Sequence, residues 1–83
     1  MSKGIVLDIE TDALDASKIH CIVTRDVNTN EVKEFVQEEC YNIFPQWSKG
    51  IDKFYMHNGV SFDGRILNKL TDANIPLSNI VDT

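Results

Sequence analysis

Two carboxylates, Asp8 and Glu10, occupy alternate positions near the end of a largely aliphatic segment, residues 4–11. This segment is typical of a buried β-strand, and side chains two apart on a strand point to the same face. The two carboxylates should therefore project side by side. Because neighbouring carboxylates repel each other and are costly to bury unpaired, a bound cation would explain the pair. A hard divalent metal with oxygen ligands is the natural candidate.

A third acid, Asp63, closes the segment His-Asn-Gly-Val-Ser-Phe-Asp at residues 57–63, after another strand-like segment. The positive end of a helix dipole would favour a carboxylate there. Asp is also ordinary in a first helical turn, and a pair of acids at a solvated strand end costs little. Asp12 and Asp15 fit a polar loop. The combination of the Asp-x-Glu strand with Asn-x-x-x-Phe-Asp is what favours metal chemistry at Asp8, Glu10 and Asp63.

Hydrophobic periodicity predicts seven elements in the order β-β-β-α-β-α-β. The predicted strands are residues 4–10, 19–26, 31–36, 53–57 and 79–81, and the predicted helices are residues 43–49 and 62–73. The turn sequence Asn-Thr-Asn at 28–30 should join the second and third strands as a hairpin. The fold class is therefore α/β, with a mixed five-stranded sheet whose first half is built from hairpins and whose second half is parallel.

Length, charge and cysteine content narrow the class of protein. The chain has 83 residues, which fits one small domain. Its net charge of −5 argues against general electrostatic binding to nucleic acid. No signal peptide and no run of about 18 apolar residues is found, so we expect a cytoplasmic protein without membrane contact. Cys21 and Cys40 form no CxxC motif and should be free thiols. His20 and His57 have no nucleophile at a suitable spacing, which favours structural or site-lining roles.

The two acidic motifs resemble those of a known nuclease superfamily. Asp-Ile-Glu-Thr at 8–11 resembles the first motif of the DEDD 3′–5′ proofreading exonucleases, and residues 57–63 resemble the second. Looser similarity at 12–14, 18–23 and 80–83 extends over nearly the whole chain. Together these segments resemble the N-terminal exonuclease domain of family A DNA polymerases from podovirus-type bacteriophages. This resemblance would place the protein in the host cytoplasm.

This resemblance implies a ribonuclease H-like sheet, in agreement with the predicted element order. It also implies a Mg²⁺ or Mn²⁺ site that hydrolyses phosphodiester bonds at the 3′ end of single-stranded DNA. Asp8 would bridge two ions roughly 4 Å apart, Glu10 would ligate one of them, and Asp63 would hold the other. All three acids are thus the candidate catalytic residues. The implied substrate-binding residues are Leu14 near the terminal base, and Asn58 and Phe62, which would shape the site.

One part of the family pattern is missing. The third motif, a Tyr or His followed by a fourth essential Asp, lies downstream of an Asp-Thr that matches Asp82 and Thr83. We therefore expect residues 1–83 to form a single, C-terminally truncated exonuclease domain with an incomplete two-metal site. Such a chain should be nearly inactive alone and active when another chain, such as the rest of the polymerase, completes it.

Two other hypotheses stay open. The chain could be a non-enzymatic phage protein that binds a host or viral protein through this fold, and its acidic surface would suit a basic partner. It could also be a nuclease completed by self-association. Two helices cannot cover both faces of the sheet, so apolar strand residues such as Ile5, Leu7, Ile9, Ile22 or Val23 should form an exposed patch, and the sequence leaves open which strand parity faces outward. A homodimer or a partner protein is predicted to cover that face.

Overall fold

The computed structural model describes residues 3–11, 18–56 and 63–82, without the side chain of Asp63. The described strands are β1 (Gly4–Thr11), β2 (Ile19–Asp26), β3 (Val32–Val36), β4 (Lys53–Met56) and β5 (Ile80–Asp82). The described helices are α1 (Glu39–Asn42), α2 (Phe44–Ser48) and α3 (Asp63–Leu70), with a 3₁₀ turn at Leu77–Asn79. None of these helices is long and apolar enough to cross a membrane.

The strands form one sheet in the order β3-β2-β1-β4-β5. β1 pairs antiparallel with β2, and β2 with β3, whereas β1 pairs parallel with β4, and β4 with β5. This confirms the α/β class and the mixed five-stranded sheet, with its hairpin-built half and its parallel half. The parallel half requires crossover connections, and the segments containing α1, α2 and α3 supply them.

Strict alternation along β1, the central strand, separates the two faces of the sheet. Ile5, Leu7 and Ile9 are buried, whereas Val6, Asp8 and Glu10 are exposed. The buried side chains join a single core with the inward residues of the other strands and of the helices. The core residues from the helices and the following loop include Cys40, Phe44, Ile66, Leu67, Ala73 and Ile75. All three helices therefore pack on the same face of the sheet.

The opposite face of the sheet, which we call the open face, is not covered by any described element. Register and burial place twelve residues on it. They are Val6, Asp8 and Glu10 of β1; Cys21, Val23 and Arg25 of β2; Val32, Glu34 and Val36 of β3; Lys53 and Tyr55 of β4; and Val81 of β5. The parity that the sequence left open is thereby decided: Val23 lies on the open face, and Ile5, Leu7, Ile9 and Ile22 are buried.

A compact aromatic cluster anchors the first two helices on β3. The ring of Phe35 lies 5.3 Å from that of Phe44 and 5.2 Å from that of Trp47, between centroids. The Tyr41 hydroxyl accepts a 2.7 Å hydrogen bond from the Ile19 amide and so ties α1 to the start of β2. The helix predicted over 43–49 corresponds to α2, and the prediction missed α1, which precedes it beyond a turn at Ile43. Pro45 does lie in the first turn of α2, as predicted.

The third helix is shorter than its hydrophobic stripe suggested. It ends at Leu70 instead of residue 73, because side chains compete for the backbone of its last turn. The Thr71 hydroxyl donates to the Leu67 carbonyl, 2.6 Å away. The Asn68 amide group both accepts from the Ile75 amide and donates to the Ile75 carbonyl, at 2.7 and 2.9 Å. Ala73 is still buried, but it belongs to the loop that Asn68 holds in place.

The predicted hairpin between β2 and β3 is confirmed, and Asp26 organises its turn. One carboxylate oxygen of Asp26 accepts the amides of Asn28 and Thr29, at 2.8 and 3.0 Å. Asn30 has φ of 63°, a conformation that Asn tolerates better than most residues. The hydrogen bonds from Asn28 and then Thr29 hold the pKa of Asp26 below its usual value, since they stabilise the charged form.

We expect the Asp26→Ala variant to be less stable than the parent chain at neutral pH, with a loss that shrinks in acid. A folded pKa below the unfolded value of about 3.9 means that the stabilisation is present above that value and fades as the pH falls through the folded pKa. Urea unfolding from neutral pH to about pH 3 measures this. Asp72→Ala, at another exposed Asp in a loop, is the control. An Asp26→Ala deficit that stays constant with pH would contradict the role of this carboxylate.

Candidate functional site

Asp8 and Glu10 project from the same side of β1, on the open face, as their spacing predicted. Asp8 pairs with Val23 and Glu10 with Cys21 across the antiparallel ladder to β2. Both acids are exposed, so neither carboxylate carries a burial penalty, and a solvated strand end fits this exposure as well as a metal site does. On the other side of β1, the pairing with β4 runs only from Gly4 to Val6. The two acids therefore lie on the part of β1 that extends beyond its described pairing with β4.

An irregularity in the sheet lies directly next to Glu10. The register between β1 and β2 shifts between Glu10 and Thr11, because Thr11 pairs with Ile19 and His20 has no partner residue in β1. The His20 carbonyl instead accepts the amide of Gln37. A bulge of this kind twists the strands locally and turns the adjacent side chains away from a regular ladder. His20 is half-buried at this position, which fits a structural or site-lining role.

The third acid begins the helix that follows β4. β4 is parallel to β1, so the carboxyl ends of both strands lie at the same edge of the sheet. The chain leaves β4 at Met56 and enters α3 at Asp63, and β5, the next strand, is again parallel. A helix that connects two parallel strands runs back across the sheet from the carboxyl edge. The topology thus directs the start of α3 towards the edge where Asp8 and Glu10 lie. The Asp63 side chain lies outside what the structure describes.

The sequence also predicted site residues outside β1 and the first residue of α3. Leu14, Asn58 and Phe62 lie outside the described residues, as does His57. Among the side chains that the structure describes, no three His, Cys, Asp or Glu residues lie close enough together to hold a metal ion. Asp63 is not among those side chains. The two described acids have the oxygen donors that a hard cation such as Mg²⁺ prefers, and they would need further ligands to hold it.

Negative charge converges around a thiol that sequence reasoning did not connect with the acids. Cys21 is half-buried beside Glu10 on the open face. Its pKa is raised, first by desolvation and then by the charges of Glu34, Glu10 and Asp8. Glu34 reaches this group from β3 because it pairs with Val23, the partner of Asp8. Side-chain alternation along β2 and β3 indicates which residues of each strand share a face. Only the register between the strands shows that the three acids lie on the same face of the sheet.

The second thiol is separate from this charged group. Cys40 is fully buried on the helix-covered side, where it donates a weak hydrogen bond to the Phe35 carbonyl at 3.4 Å. Both cysteines are free, as predicted. Burial is the main cause that raises the pKa of the Cys40 thiol, and Cys21 and Glu39 raise it further. Cys40 is therefore a structural residue that serves as an internal reference for Cys21.

Two clefts are lined by described residues other than Asp8 and Glu10. One of about 230 Å³ lies between the end of α2 and the loop after α3, and Lys49, Phe54 and Asn74 are among its lining residues. The other, about 500 Å³, lies beside α1 and is lined by residues that include Lys18, Glu38 and Tyr41. In the second cleft, the Tyr41 hydroxyl accepts the amide of Ile19. Neither lining contains Asp8 or Glu10, so the acids of β1 form a separate candidate site.

Comparison with known proteins assigns no family to the chain. No protein-family model matches its sequence, and no curated protein matches it significantly.

We expect the thiol of Cys21 to report the electrostatics of the acidic group. Replacing Glu34 with Gln removes a repulsive charge, so the pKa of Cys21 should fall and its alkylation by iodoacetamide near pH 8 should accelerate. Peptide mass spectrometry separates Cys21 from buried Cys40, which should stay unreactive in the folded protein. Glu31→Gln, at an exposed acid in the hairpin, is the control. Equal rates in both variants would show that Glu34 does not act on the thiol.

Proposed function

We propose that this chain supplies the metal-binding half of a 3′–5′ exonuclease site of the DEDD type, within a ribonuclease H-like fold. The observation that carries the proposal is the position of Asp8 and Glu10. They lie together on an exposed face, on the extension of β1 past its pairing with β4, and at the edge towards which the topology directs Asp63. The substrate would be the 3′ end of single-stranded DNA, and the cofactor Mg²⁺ or Mn²⁺.

The sheet supports this proposal through its connectivity. The element order predicted a hairpin-built half followed by a parallel half, and the sheet has both. This order agrees with the ribonuclease H-like sheet that the resemblance implies. The acids come from β1 and from the helix after β4, two neighbouring parallel strands, so elements distant in sequence contribute to one edge. Ligands in α/β sheets commonly bind at the carboxyl ends of the strands. The site would thus lie where this class of fold usually binds its substrate.

The chemistry of the residues also fits a role shared with groups from elsewhere. When bound, two divalent ions would stabilise the attacking and leaving oxygens of an in-line displacement at phosphorus. Asp8 and Glu10 would hold the ions, and Asp63 would supply the third carboxylate of the site. A Tyr or His followed by a further Asp, which would orient the attacking water and supply a fourth acid, does not occur after Asp63 in the sequence. Another chain or segment would provide those groups.

A binding module without enzymatic activity is the second candidate, and the open face favours it. Val32 and Val36 on β3 are 62% and 42% exposed, and Val6 on β1 is 40% exposed. Apolar side chains gathered on one exposed face are typical of an interaction surface.

The exonuclease and the binding module predict different neighbouring genes. A neighbouring reading frame that encodes a Tyr/His-x-x-x-Asp segment followed by a polymerase domain would favour the exonuclease.

We expect the chain to bind Mn²⁺ weakly through Asp8, Glu10 and Asp63. Three carboxylates without a fourth protein ligand should give a water-rich site with low affinity. Paramagnetic broadening in ¹H–¹⁵N NMR spectra during a Mn²⁺ titration should select the amides around these three acids. The Asp8→Asn variant should lose most of this broadening, and Asp72→Asn, at an exposed Asp in the loop after α3, should keep it. Broadening confined to Asp12 and Asp15, or none, would count against the site.

We expect the 83-residue chain alone to degrade single-stranded DNA very slowly. Loss of a positioned catalytic group commonly lowers a rate by about 10²- to 10⁴-fold, and the groups that orient the water are missing here. The assay follows a 5′-labelled oligonucleotide with Mg²⁺ or Mn²⁺, beside Asp8→Asn and the Asp72→Asn control. Any residual shortening from the 3′ end should disappear in Asp8→Asn alone. Rapid, Asp8-dependent degradation by the pure chain would disprove the claim that the site is incomplete.

A further inference from the structure

Charges on the open face are separated along the strand direction. In the register of the sheet, Asp8 and Glu34 lie level with each other on either side of Val23, and Glu10 lies one step further along β1. Arg25 lies level with Val6, and Lys53 lies level with Gly4, towards the other end of β1. The face therefore has an acidic end and a basic end, with half-buried or exposed valines between and beside them.

This separation makes the face complementary to itself in one orientation. A two-fold axis that lies in the plane between two facing sheets and runs across the strands reverses the strand direction of the second copy. Arg25 of one copy then lies over the gap between Asp8 and Glu34 of the other, and Lys53 lies near Glu10. A two-fold axis along the strands would instead place acids over acids. Like charges opposed across an interface are strongly unfavourable, so charge selects the first arrangement.

We propose that the open face is a homodimer interface, in which two copies pack face to face with their strands running in opposite directions. Sheets that pack in this way lie about 10 Å apart with aligned strands, so Val6, Val23 and Val32 would become buried between them. The same patch on both copies forms the contact, as a closed two-fold dimer requires.

The size of the face sets the expected strength of this dimer. Four interstrand spacings of about 4.8 Å and six residues of about 3.3 Å give a surface roughly 19 Å by 20 Å. This footprint, about 380 Å² on each copy, is half of the area that specific interfaces usually bury on each partner, and it is typical of weak, transient contacts. We therefore expect dissociation in the micromolar range that becomes weaker with salt, because part of the attraction is electrostatic.

Tyr55 and Val27 complete the basic end of the face. A Cβ atom on Gly4 would lie 3.2 Å from the Tyr55 ring and 3.3 Å from a Val27 methyl group. The two side chains close over the glycine, which explains its presence on β1. The side chains of Tyr55 and Val27 thus form an apolar surface around Lys53 and Arg25. Charged groups on such a surface are partly desolvated when it is covered, which strengthens their pairing across the contact.

The dimer would cover two of the acids in the proposed metal site, a consequence that rests on the proposed function. By linkage, Mn²⁺ bound to Asp8 and Glu10 would raise the dissociation constant of the dimer. A dimer that is weakened by substitution of Arg25 but not affected by Mn²⁺ would count against the metal site and would support the interface. The two proposals can therefore fail independently.

Sedimentation equilibrium from about 1 to about 100 micromolar, at low and high salt, tests the interface. The full chain should dimerise at low salt, and Arg25→Glu should raise the dissociation constant at least about tenfold, because it places an acid against Asp8 and Glu34. Arg65→Glu, the same change at an exposed site on α3, should leave it within about twofold. A monomer throughout, or equal effects of both substitutions, would overturn the proposal.

A charge-swap experiment removes the possibility that a weakened variant is simply misfolded. Glu34→Arg should also dimerise poorly by itself, but its mixture with Arg25→Glu should form heterodimers, since each new charge then meets its opposite. Cys21 lies on the covered face, so its alkylation in the Arg25→Glu chain, where Glu34 is unchanged, should be slower in the mixture than in that variant alone, while Cys40 stays buried throughout. A mixture that associates no better than either variant alone would refute the antiparallel arrangement.

Discussion

The alternation of buried and exposed side chains along β1 determines how the whole sheet is oriented. β1 lies at the centre of the sheet and pairs with both β2 and β4. The residues of β1 on one face therefore determine, through the register, which residues of its neighbours lie on that face. Ile5, Leu7 and Ile9 must face the helices because burying them drives the formation of the core. Once they do, Val6, Asp8 and Glu10 have only the opposite side available. The position of the acids is thus a consequence of hydrophobic packing.

The helix-covered side depends on a small number of large contacts. Phe35, Phe44 and Trp47 fill the space between β3 and the first two helices, and the Tyr41 hydroxyl fixes α1 against the start of β2. α1 and α2 have four and five residues, too short to be stable by themselves, so their packing on the sheet must hold them. This one-sided core leaves the other face of the sheet free for the acids, for Cys21 and for the proposed interface.

The open face gives one set of residues two possible partners. Asp8 and Glu10 could receive divalent cations, and they could equally meet the basic end of a second copy. Both would neutralise the same negative charge, and both follow from the exposure of these carboxylates on a flat surface. Desolvation and then the charges of Glu34, Glu10 and Asp8 raise the pKa of Cys21, so all three acids act on the same part of the open face. Charge neutralisation at the carboxyl end of β1 is therefore the common physical basis of the proposals.

Elements with local signals could be predicted from the order of the amino acids alone. Aliphatic alternation defined β1 and β2, Asn-Thr-Asn marked the hairpin turn, and the spacing of Asp8 and Glu10 placed both acids on one side of their strand. Local signals failed where side chains competed with the helix backbone, as at Thr71 and Asn68, and where α1 gained its stability from packing.

Which face of the sheet is covered depends on contacts between elements that are distant in the chain. Alternation is symmetrical about a strand, so it cannot by itself distinguish the inward side from the outward side when both carry aliphatic residues, as Ile22 and Val23 of β2 do. Strand register then brought Glu34 and Cys21 beside the acids of β1, and separated them from Arg25 and Lys53. These relations join residues far apart in the chain, and they arise from hydrogen bonds between strands. A pattern read along one strand cannot contain them, because it records only the order of side chains on that strand.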